Sequence, residues 1–324
     1  MIRTALAVSA LATCMIAMPA AAHEPSERTL LWADEFNEAE LDRDHWNVIG
    51  TDFWVNNEQQ AYVDAPEVLS IVDDVEGADG GVLMLRPVYA PGTDPHPDRK
   101  ADFLSGRVES QGKFDFTHGR AEARIKMPDA EGVWPAWWML GNDRWPDTGE
   151  IDIMEYVGEK DWIGVALHGP GYSGETPLVN KYFFADGEDV TDWHVYAVEW
   201  DPNEIRWYLD GVHFHTATTN NWFSSAAPSN PRAPFDSNFH LLLNVAVGGN
   251  FPGNPNGSAQ WPQTMEVDWV RVYRREQRPF EGIARAIPGQ IEAEKRWPLR
   301  RASAISPASW SRHGSPASVR RCLP

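Results

Sequence analysis

The amino-acid sequence predicts an all-β protein, either a sandwich or a jelly roll, on three observations. Segments that are rich in β-branched and aromatic residues and that alternate apolar with polar positions recur along the chain, as in "AEARIKM", "HVYAVEW", "EIRWYLDG" and "EVDWVRVY". Turn-forming stretches such as "DPNE" and "GGNFPGNPNG" separate them. No long stretch combines helical periodicity with capping signals, and no internal repeat indicates a propeller. Short strands at regular spacing therefore favour two packed sheets.

Composition divides the chain into three parts. Residues 1–22 contain one basic residue, a mostly apolar run and the small-residue stretch "PAAA", which is typical of a signal peptide and predicts a secreted protein, extracellular or periplasmic. The β pattern ends at "VDWVRVYRRE", so we expect one folded domain over residues 23–275. Residues 276–324 are predicted to be a linker and a disordered basic tail, because no acid follows Lys295 and Arg, Ser, Ala and Pro dominate.

The formal net charge of −19 is unevenly distributed. Residues 23–273 hold 16 basic and 43 acidic residues, whereas residues 274–324 hold 11 basic and 4 acidic ones. An acidic surface repels nucleic acid, anionic lipid and polyanions. We therefore expect no nucleic-acid partner and no membrane partner, and the charge disfavours a sulfated polysaccharide as ligand. General solubility explains the same charge equally well.

The stretch "GEIDIMEYVG", residues 149–158, places three acids on one predicted strand. Side chains of a strand alternate between faces, so Glu150 and Asp152 share a face and Glu155 is one residue out of phase. One extra residue in a strand forms a β-bulge, and bulges next to active sites re-aim side chains. We predict a bulge around Ile153 and Met154 that returns Glu155 to the face of the other two acids.

A row of three carboxyls suits nucleophilic and acid–base chemistry. Like charges at close range raise the pKa of at least one carboxyl, which then stays protonated near neutral pH. Retaining glycoside hydrolysis needs such a pair about 5 Å apart, since one carboxylate attacks the sugar and a protonated carboxyl protonates the leaving oxygen. Glu150 and Glu155 are candidates for these roles, with Asp152 placed to hydrogen-bond Glu150. The alternative for an isolated E-x-D-x-x-E pattern is a solvated acidic strand edge.

Four tryptophans lie just ahead of the acids, in "GVWPAWWMLGNDRWPDTGE". Indole faces stack against the apolar C–H faces of pyranose rings. If residues 134–138 form a strand, Trp134 and Trp138 share one face, and Trp137 points to the other, where we expect it in the core. Trp145 lies in a Pro- and Asp-rich segment and is expected at the edge of a cleft. The alternative is that all four belong to the core.

At this point the sequence resembles glycoside hydrolase family 16, and in particular its laminarinase-like endo-β-1,3-glucanases. The resemblance is carried by "SGRVESQGKFDFTHGRAEARIKMP", "GVWPAWWMLG", "GEIDIMEY", "VALHGPGYSG", "HVYAVEWDPNEIRWYLDG" and "MEVDWVRVY", in this order, and it extends from about Leu30 to Tyr273. It implies a concanavalin-like β-jelly-roll sandwich with a substrate cleft on the concave sheet. It also implies a retaining mechanism with Glu150 as nucleophile, Glu155 as acid/base and Asp152 assisting, and no cofactor for catalysis.

The resemblance implies further substrate-binding positions. Asn57 in "WVNNEQQAY" matches a residue on the non-reducing side of the cleft, and Arg107 in "SGRV" and His168 in "LHGPG" match polar positions near the reacting sugar. A structural ion pair is the alternative for Arg107, and a hydrogen-bonded strand histidine is the alternative for His168. Family members also hold a structural calcium, to which Glu35 in "DEF" and Asp268 in "VDWVRVY" correspond, and carboxylates suit this hard cation.

The leading functional prediction is a secreted, monomeric enzyme that cleaves neutral β-1,3-glucan. A mixed-linkage β-1,3-1,4-glucanase and a non-catalytic glucan-recognition protein on the same scaffold are the alternatives, and an agarase or carrageenase is disfavoured by the charge. The non-catalytic proteins typically lose the two glutamates that this chain retains. Residues 286–294, "AIPGQIEAE", resemble the start of a family 6 carbohydrate-binding module, of which the basic tail is interpreted as a remnant; chance similarity is the alternative.

Overall fold

The computed structural model describes residues 28–51, 53–92, 101–257 and 259–275, with nothing said of the Arg275 side chain. The predicted signal peptide (1–22), the predicted tail (276–324) and the module-like segment (286–294) lie outside the described residues. Within them the chain forms eighteen β-strands and no helix. The strands are β1 (Arg28–Asp34), β2 (Asn47–Val48), β3 (Gln60–Tyr62), β4 (Leu69–Val72), β5 (Val82–Leu85), β6 (Val88–Tyr89), β7 (Phe103–Ser105), β8 (Arg107–Glu109), β9 (Gly119–Lys126), β10 (Val133–Gly141), β11 (Glu150–Glu155), β12 (Trp162–His168), β13 (Leu178–Phe183), β14 (His194–Asp201), β15 (Glu204–Leu209), β16 (Val212–Thr218), β17 (Phe239–Val247) and β18 (Met265–Arg275).

Two large antiparallel sheets form the sandwich that the sequence predicts. The first has the order β16-β15-β14-β9-β18-β5-β4, with β1 also paired to β18. The second, here called the acid sheet because it contains β11, has the order β13-β12-β11-β10-β17-β8-β2. A small third sheet, β3-β7-β6, includes a parallel pair between β3 and β7. The described residues contain no helix that is long and apolar enough to cross a membrane.

The core lies between the two large sheets and is rich in aromatic side chains. Trp46, Trp137, Trp200 and Trp207 are all fully buried. The burial of Trp137 confirms the prediction that it points away from Trp134 and Trp138. All nine residues of β17 are buried, which matches its nearly uninterrupted apolar sequence "FHLLLNVAV". Burial of such large side chains removes much apolar surface from water, which is the dominant favourable term in folding.

Strand β11 contains the predicted bulge. Against β10, Asp152 pairs with Trp138 and Met154 pairs with Trp137, so Ile153 is the extra residue. The register also shifts between Asp152 and Glu155 on the β12 side. Ile153 and Met154 are both buried, because the bulge lets two consecutive side chains point into the core. The indole Nε1 of Trp207, on β15 of the opposite sheet, donates a 2.9 Å hydrogen bond to the Asp152 carbonyl inside the bulge.

Candidate active site

The three acids of β11 lie on the outer face of the acid sheet, opposite the core side chains Ile151 and Ile153. Glu150 pairs with His168 on β12, whereas Asp152 pairs with Ala166 and Glu155 pairs with Gly164. Both of these partner residues are small and are themselves buried. The three carboxyls therefore form one row along β11.

A cavity of about 80 Å³ opens beside the acids on the β10, β17 and β8 side. Its lining includes all three acids and the predicted sugar-binding residues Arg107, Trp134 and Trp138. It also includes residues that were not singled out from the sequence, namely Phe53, Asn56, Glu58, Tyr62 and Asn244. Of the other predicted binding residues, His168 contacts the acids from the β12 side, and Trp145 does so from the loop before β11.

Each glutamate of the row accepts a hydrogen bond from a different indole. Trp134 Nε1 donates to Glu155 Oε1 at 3.0 Å, and Trp145 Nε1 donates to Glu150 Oε2 at 2.5 Å. Trp134 is half-buried on β10, whereas Trp145 is 45% exposed on the loop. These two rings were predicted to stack on sugars; the structure shows in addition that their N–H groups orient the two glutamates.

His168 lies between the first two acids. Its Nε2 is 3.3 Å from Asp152 Oδ2 and 3.8 Å from Glu150 Oε1, and its Nδ1 accepts a 3.1 Å hydrogen bond from the Gly174 amide. A ring nitrogen that accepts from a backbone N–H carries no proton, so the Nε2 is the protonated nitrogen of the neutral ring. The Asp152 and Glu150 carboxyls are also close enough for each to affect the pKa of the other. The middle acid is thus placed to restrain the first.

Burial raises the pKa of all three carboxyls, and repulsion between the acids adds to the effect for two of them. The pKa of Glu150 is raised well above 4.5 by burial and then by the charge of Asp152, against the opposing effect of His168. The pKa of Asp152 is raised well above 3.8 by burial and by the charge of Glu155. Burial raises the pKa of Glu155, and the hydrogen bond from Trp134 offsets only part of this rise. Burial and repulsion therefore both favour keeping a proton within the row.

Arg107 and Trp138 form the far side of the cavity. The Arg107 guanidinium lies 5.0 Å from the Trp138 ring and 4.1 Å from the Phe53 ring, and it pairs with Glu109 at 3.3 Å. Its Nε is buried and has no hydrogen-bond partner. Arg107 thus forms the ion pair that was the alternative reading and is also part of the cavity wall. Trp138 Nε1 donates to Asn244 Oδ1 at 2.7 Å.

Glu58 is a buried acid in the cavity wall that sequence reasoning missed. Its carboxylate accepts hydrogen bonds from Gln60 at 2.6 Å and from Asn56 at 3.1 Å. Burial raises its pKa, and the Arg107 charge opposes this shift. Asn244 was also missed, although a single amide within the apolar strand "HLLLNVAV" was a usable signal. A polar side chain in such a strand needs a partner, which here is Trp138 on one side and Tyr62 on the other.

Asn57 is not part of the wall of this cavity, and its place on the non-reducing side of the cleft stays a prediction. Its Nδ2 donates a 2.9 Å hydrogen bond to Asn250 Oδ1, and the neighbouring Asn56 lines the cavity instead. Both asparagines have a left-handed backbone, with φ of 55° at Asn56 and 56° at Asn57. This irregular backbone decides which amide faces the acids, and the alternation rule of a strand does not apply to it.

Glu35 and Asp268 do not fit the predicted calcium ligands. Both oxygens of Glu35 are engaged by Arg271, each at 2.8 Å. Asp268 accepts from Arg124 and from the Asp79 backbone amide. A guanidinium already neutralises each carboxylate and would repel a cation placed beside it. In the described part of the chain, the one cluster of potential metal-ligating side chains is Glu150, Asp152 and His168.

Comparison with known proteins gives consistent matches. Residues 46–271 match the sequence profile of glycosyl hydrolases family 16. The chain is 37% identical over 270 residues to glucan endo-1,3-beta-glucosidase A1 of Niallia circulans, an alignment that covers 76% of this chain but only 38% of that longer protein. It is 34% identical over 289 residues to the beta-glucanase of Rhodothermus marinus, with 84% and 94% covered. The solved endo-beta-1,3-glucanase of Pyrococcus furiosus superposes with a TM-score of 0.68 at 34% identity, over 78% of this chain and 96% of that one.

Proposed function

This chain belongs to glycosyl hydrolases family 16, and from this premise we propose that it is an endo-acting β-1,3-glucanase that cleaves laminarin-type glucan by double displacement. The observation that carries the proposal is the bulged acid row, in which two glutamates on one face are each oriented by an indole N–H. A neutral glucan also suits the acidic surface, which repels sulfated or carboxylated chains. The named activities of the relatives support the same substrate.

In the first step, Glu150 attacks the anomeric carbon while Glu155 gives its proton to the leaving glycosidic oxygen. The bond from Trp145 occupies Oε2 of Glu150 and leaves Oε1 for attack. As positive charge develops on the sugar, the ionised Glu150 stabilises it and then forms the covalent glycosyl–enzyme bond. Asp152, next to Glu150, is placed to hydrogen-bond the nucleophile and to exchange a proton with it as its charge changes.

In the second step, Glu155 acts as a base. It removes a proton from a water molecule, which attacks the same anomeric carbon and releases Glu150. The Trp134 N–H favours the ionised form of Glu155 that this step needs. Two inversions at one carbon give net retention of configuration. The nearby cavity, with Arg107 and Trp138 in its wall, accommodates the sugars on one side of the scissile bond.

Product analysis on laminarin tests the proposed function. We expect oligosaccharides of mixed length from the earliest times, with the β-anomer formed first as measured by proton NMR. Lichenan and cellulose serve as comparison substrates, and preferential cleavage of lichenan would favour mixed-linkage activity instead. Release of the α-anomer would contradict the retaining mechanism.

The variant Glu150→Gln tests the assignment of the nucleophile. It removes the attacking oxyanion but little contact surface, so turnover should be abolished while glucan affinity measured by calorimetry stays near that of the parent. Turnover within about tenfold of the parent would exclude Glu150 as the nucleophile, since loss of a catalytic nucleophile costs far more than that.

Secretion and a monomeric state are part of the proposal. They are supported by the signal-like character of residues 1–22 and by the acidic surface. Amino-terminal sequencing of the protein recovered from culture medium or periplasm should begin at His23 or close to it. Size-exclusion chromatography with light scattering should give the mass of a single chain, and a dimer mass would contradict that part.

A further inference from the structure

Three loops of the described chain meet at the side chain of Asn250. Asn250 Nδ2 donates to Glu175 Oε1 at 3.3 Å, and its Oδ1 accepts from Asn57 Nδ2 at 2.9 Å. Its backbone N–H also donates to the Asn56 carbonyl at 3.0 Å. We call the contact between Glu175 and Asn250 the cleft bridge. The functional site described above does not use it.

The two loops of the cleft bridge start at opposite ends of the acid sheet. The loop with Glu175 follows β12, whose last residue pairs with Glu150. The loop with Asn250 follows β17, whose last residue pairs with Val133, three positions beyond the partner of Glu155 on β10. Strands β11 and β10 lie between β12 and β17. A contact between the two loops must therefore cross diagonally over the stretch of β11 that contains the acids.

Both loops cross on the face of the sheet that presents the acids. The Gly174 amide, next to Glu175, donates to His168, whose other nitrogen faces Asp152. On the other side, the Phe251 ring packs edge-on against Trp134 at 5.4 Å between centroids, and Trp134 donates to Glu155. The cleft bridge consequently lies on the acid side of the sheet rather than behind it.

We propose that Glu175 and Asn250 are specificity-determining residues, because the cleft bridge limits cleavage to unbranched stretches of glucan. The inference rests on the proposed function and adds a restriction to it. A linear β-1,3-linked chain needs height for one sugar ring only. A glucosyl branch on a 6-hydroxyl near the scissile bond projects from the backbone and meets the bridge.

For the interior of a glucan chain to enter the cleft, the bridge has to open. Its hydrogen bond joins two exposed side chains, and such bonds change an equilibrium by about two- to tenfold. Removing the bridge should therefore raise the kcat/KM for a branched glucan, relative to that for a linear one, by about two- to tenfold.

The test compares a linear β-1,3-glucan with one of equal backbone length that has single β-1,6-glucosyl branches. The variant Glu175→Ala loses the acceptor, whereas Glu175→Gln keeps an oxygen at the same position and should behave like the parent. Glu188→Ala removes an exposed glutamate from the loop between β13 and β14 and serves as the matched control. We expect the branched-to-linear ratio to rise in Glu175→Ala alone.

An unchanged ratio in Glu175→Ala, or an equal rise in Glu175→Gln, would overturn the inference while the proposed function stands. Failure of the parent to cleave either glucan would overturn the proposed function and this restriction with it. Amide hydrogen exchange gives a measurement independent of activity. The Asn250 and Gly174 amides, bonded to Asn56 and His168, should exchange about two- to tenfold faster in Glu175→Ala. Equal exchange rates would show that no bridge holds the loops together.

Discussion

The two indole hydrogen bonds make the roles of the two glutamates separable by their pH dependence. On the proposed mechanism, Glu150 reacts ionised and Glu155 reacts protonated. Loss of an N–H donor favours the protonated form of the glutamate that it served. Trp145→Phe should therefore raise the pKa of Glu150 and move the acidic limb of the kcat/KM profile to higher pH. Trp134→Phe should raise the pKa of Glu155 and move the basic limb to higher pH.

The size of each effect follows from the burial of the donor. A hydrogen bond to a charged group contributes about 1.5 to 3 kcal/mol. The Trp134–Glu155 bond is half-buried beside a cleft that is open to water, so we take the lower value, which corresponds to about a tenfold change in proton affinity. Trp145 is 45% exposed, and water replaces its N–H more readily, so the change at Glu150 should be smaller, about threefold.

The assay is kcat/KM on a soluble linear glucan across the pH range, because its limbs report the groups of the free enzyme. Trp138→Phe is the matched control, since its Nε1 donates to the neutral Asn244; it should lower the plateau and leave both limbs in place. If Trp145→Phe moves the basic limb and Trp134→Phe moves the acidic one, the two glutamates have the opposite roles. If neither limb moves, the indoles do not control the carboxyls, and the reasoning is wrong.

Two further predictions concern Glu155 and Asp152. Glu155→Ala removes the general acid but keeps the nucleophile, so an aryl glucoside with a good leaving group should still form the covalent intermediate, and added azide should give a β-azide. Formation of the α-azide, identified by NMR, would mean that Glu155 is the nucleophile. Burial raises the pKa of Asp152 well above 3.8, so the stability that its protonated form contributes is complete below about 3.8 and is lost as pH rises through the folded-state value. Asp152→Asn should therefore melt at a higher temperature than the parent at neutral pH, and the difference in melting temperature should shrink on acidification. A difference that does not change with pH would show that the ionised Asp152 side chain does not destabilise the fold.

Those parts of the site that obey strand periodicity were predictable from the sequence. The mismatch of phase between Asp152 and Glu155 predicted the bulge, since only an extra residue returns the third acid to the face of the first two. The same alternation separated Trp137 from Trp134 and Trp138. The sandwich followed from short strands and turn signals spread along the chain, which the two large sheets confirm.

Those parts that depend on loops were not predictable in the same way. Asn57 was named by resemblance, and no periodicity rule indicates that two consecutive left-handed residues turn its amide toward Asn250 and leave Asn56 in the cavity wall. The N–H of Trp145 meets Glu150 because of the path of the loop before β11, for which no periodicity rule exists. The pairing of Glu35 with Arg271 is equally invisible in sequence, since the two residues lie on different strands or loops and meet only through the β1–β18 pairing.

The bulge in β11 also has a consequence for how such a site changes over generations. Ile153, the extra residue that sets the spacing of the acids, is itself a core side chain, and so is Met154. The Asp152 carbonyl beside them accepts a hydrogen bond from Trp207 of the opposite sheet. Loss of Ile153 would leave a cavity in the core, and such a cavity lowers the stability of the fold. A lineage that gained or lost this residue would therefore have to change the neighbouring core residues at the same time. The spacing between Glu150 and Glu155 can therefore change only together with part of the core. A mutant library designed to vary that interval needs to randomise Ile153, Met154 and Trp207 together.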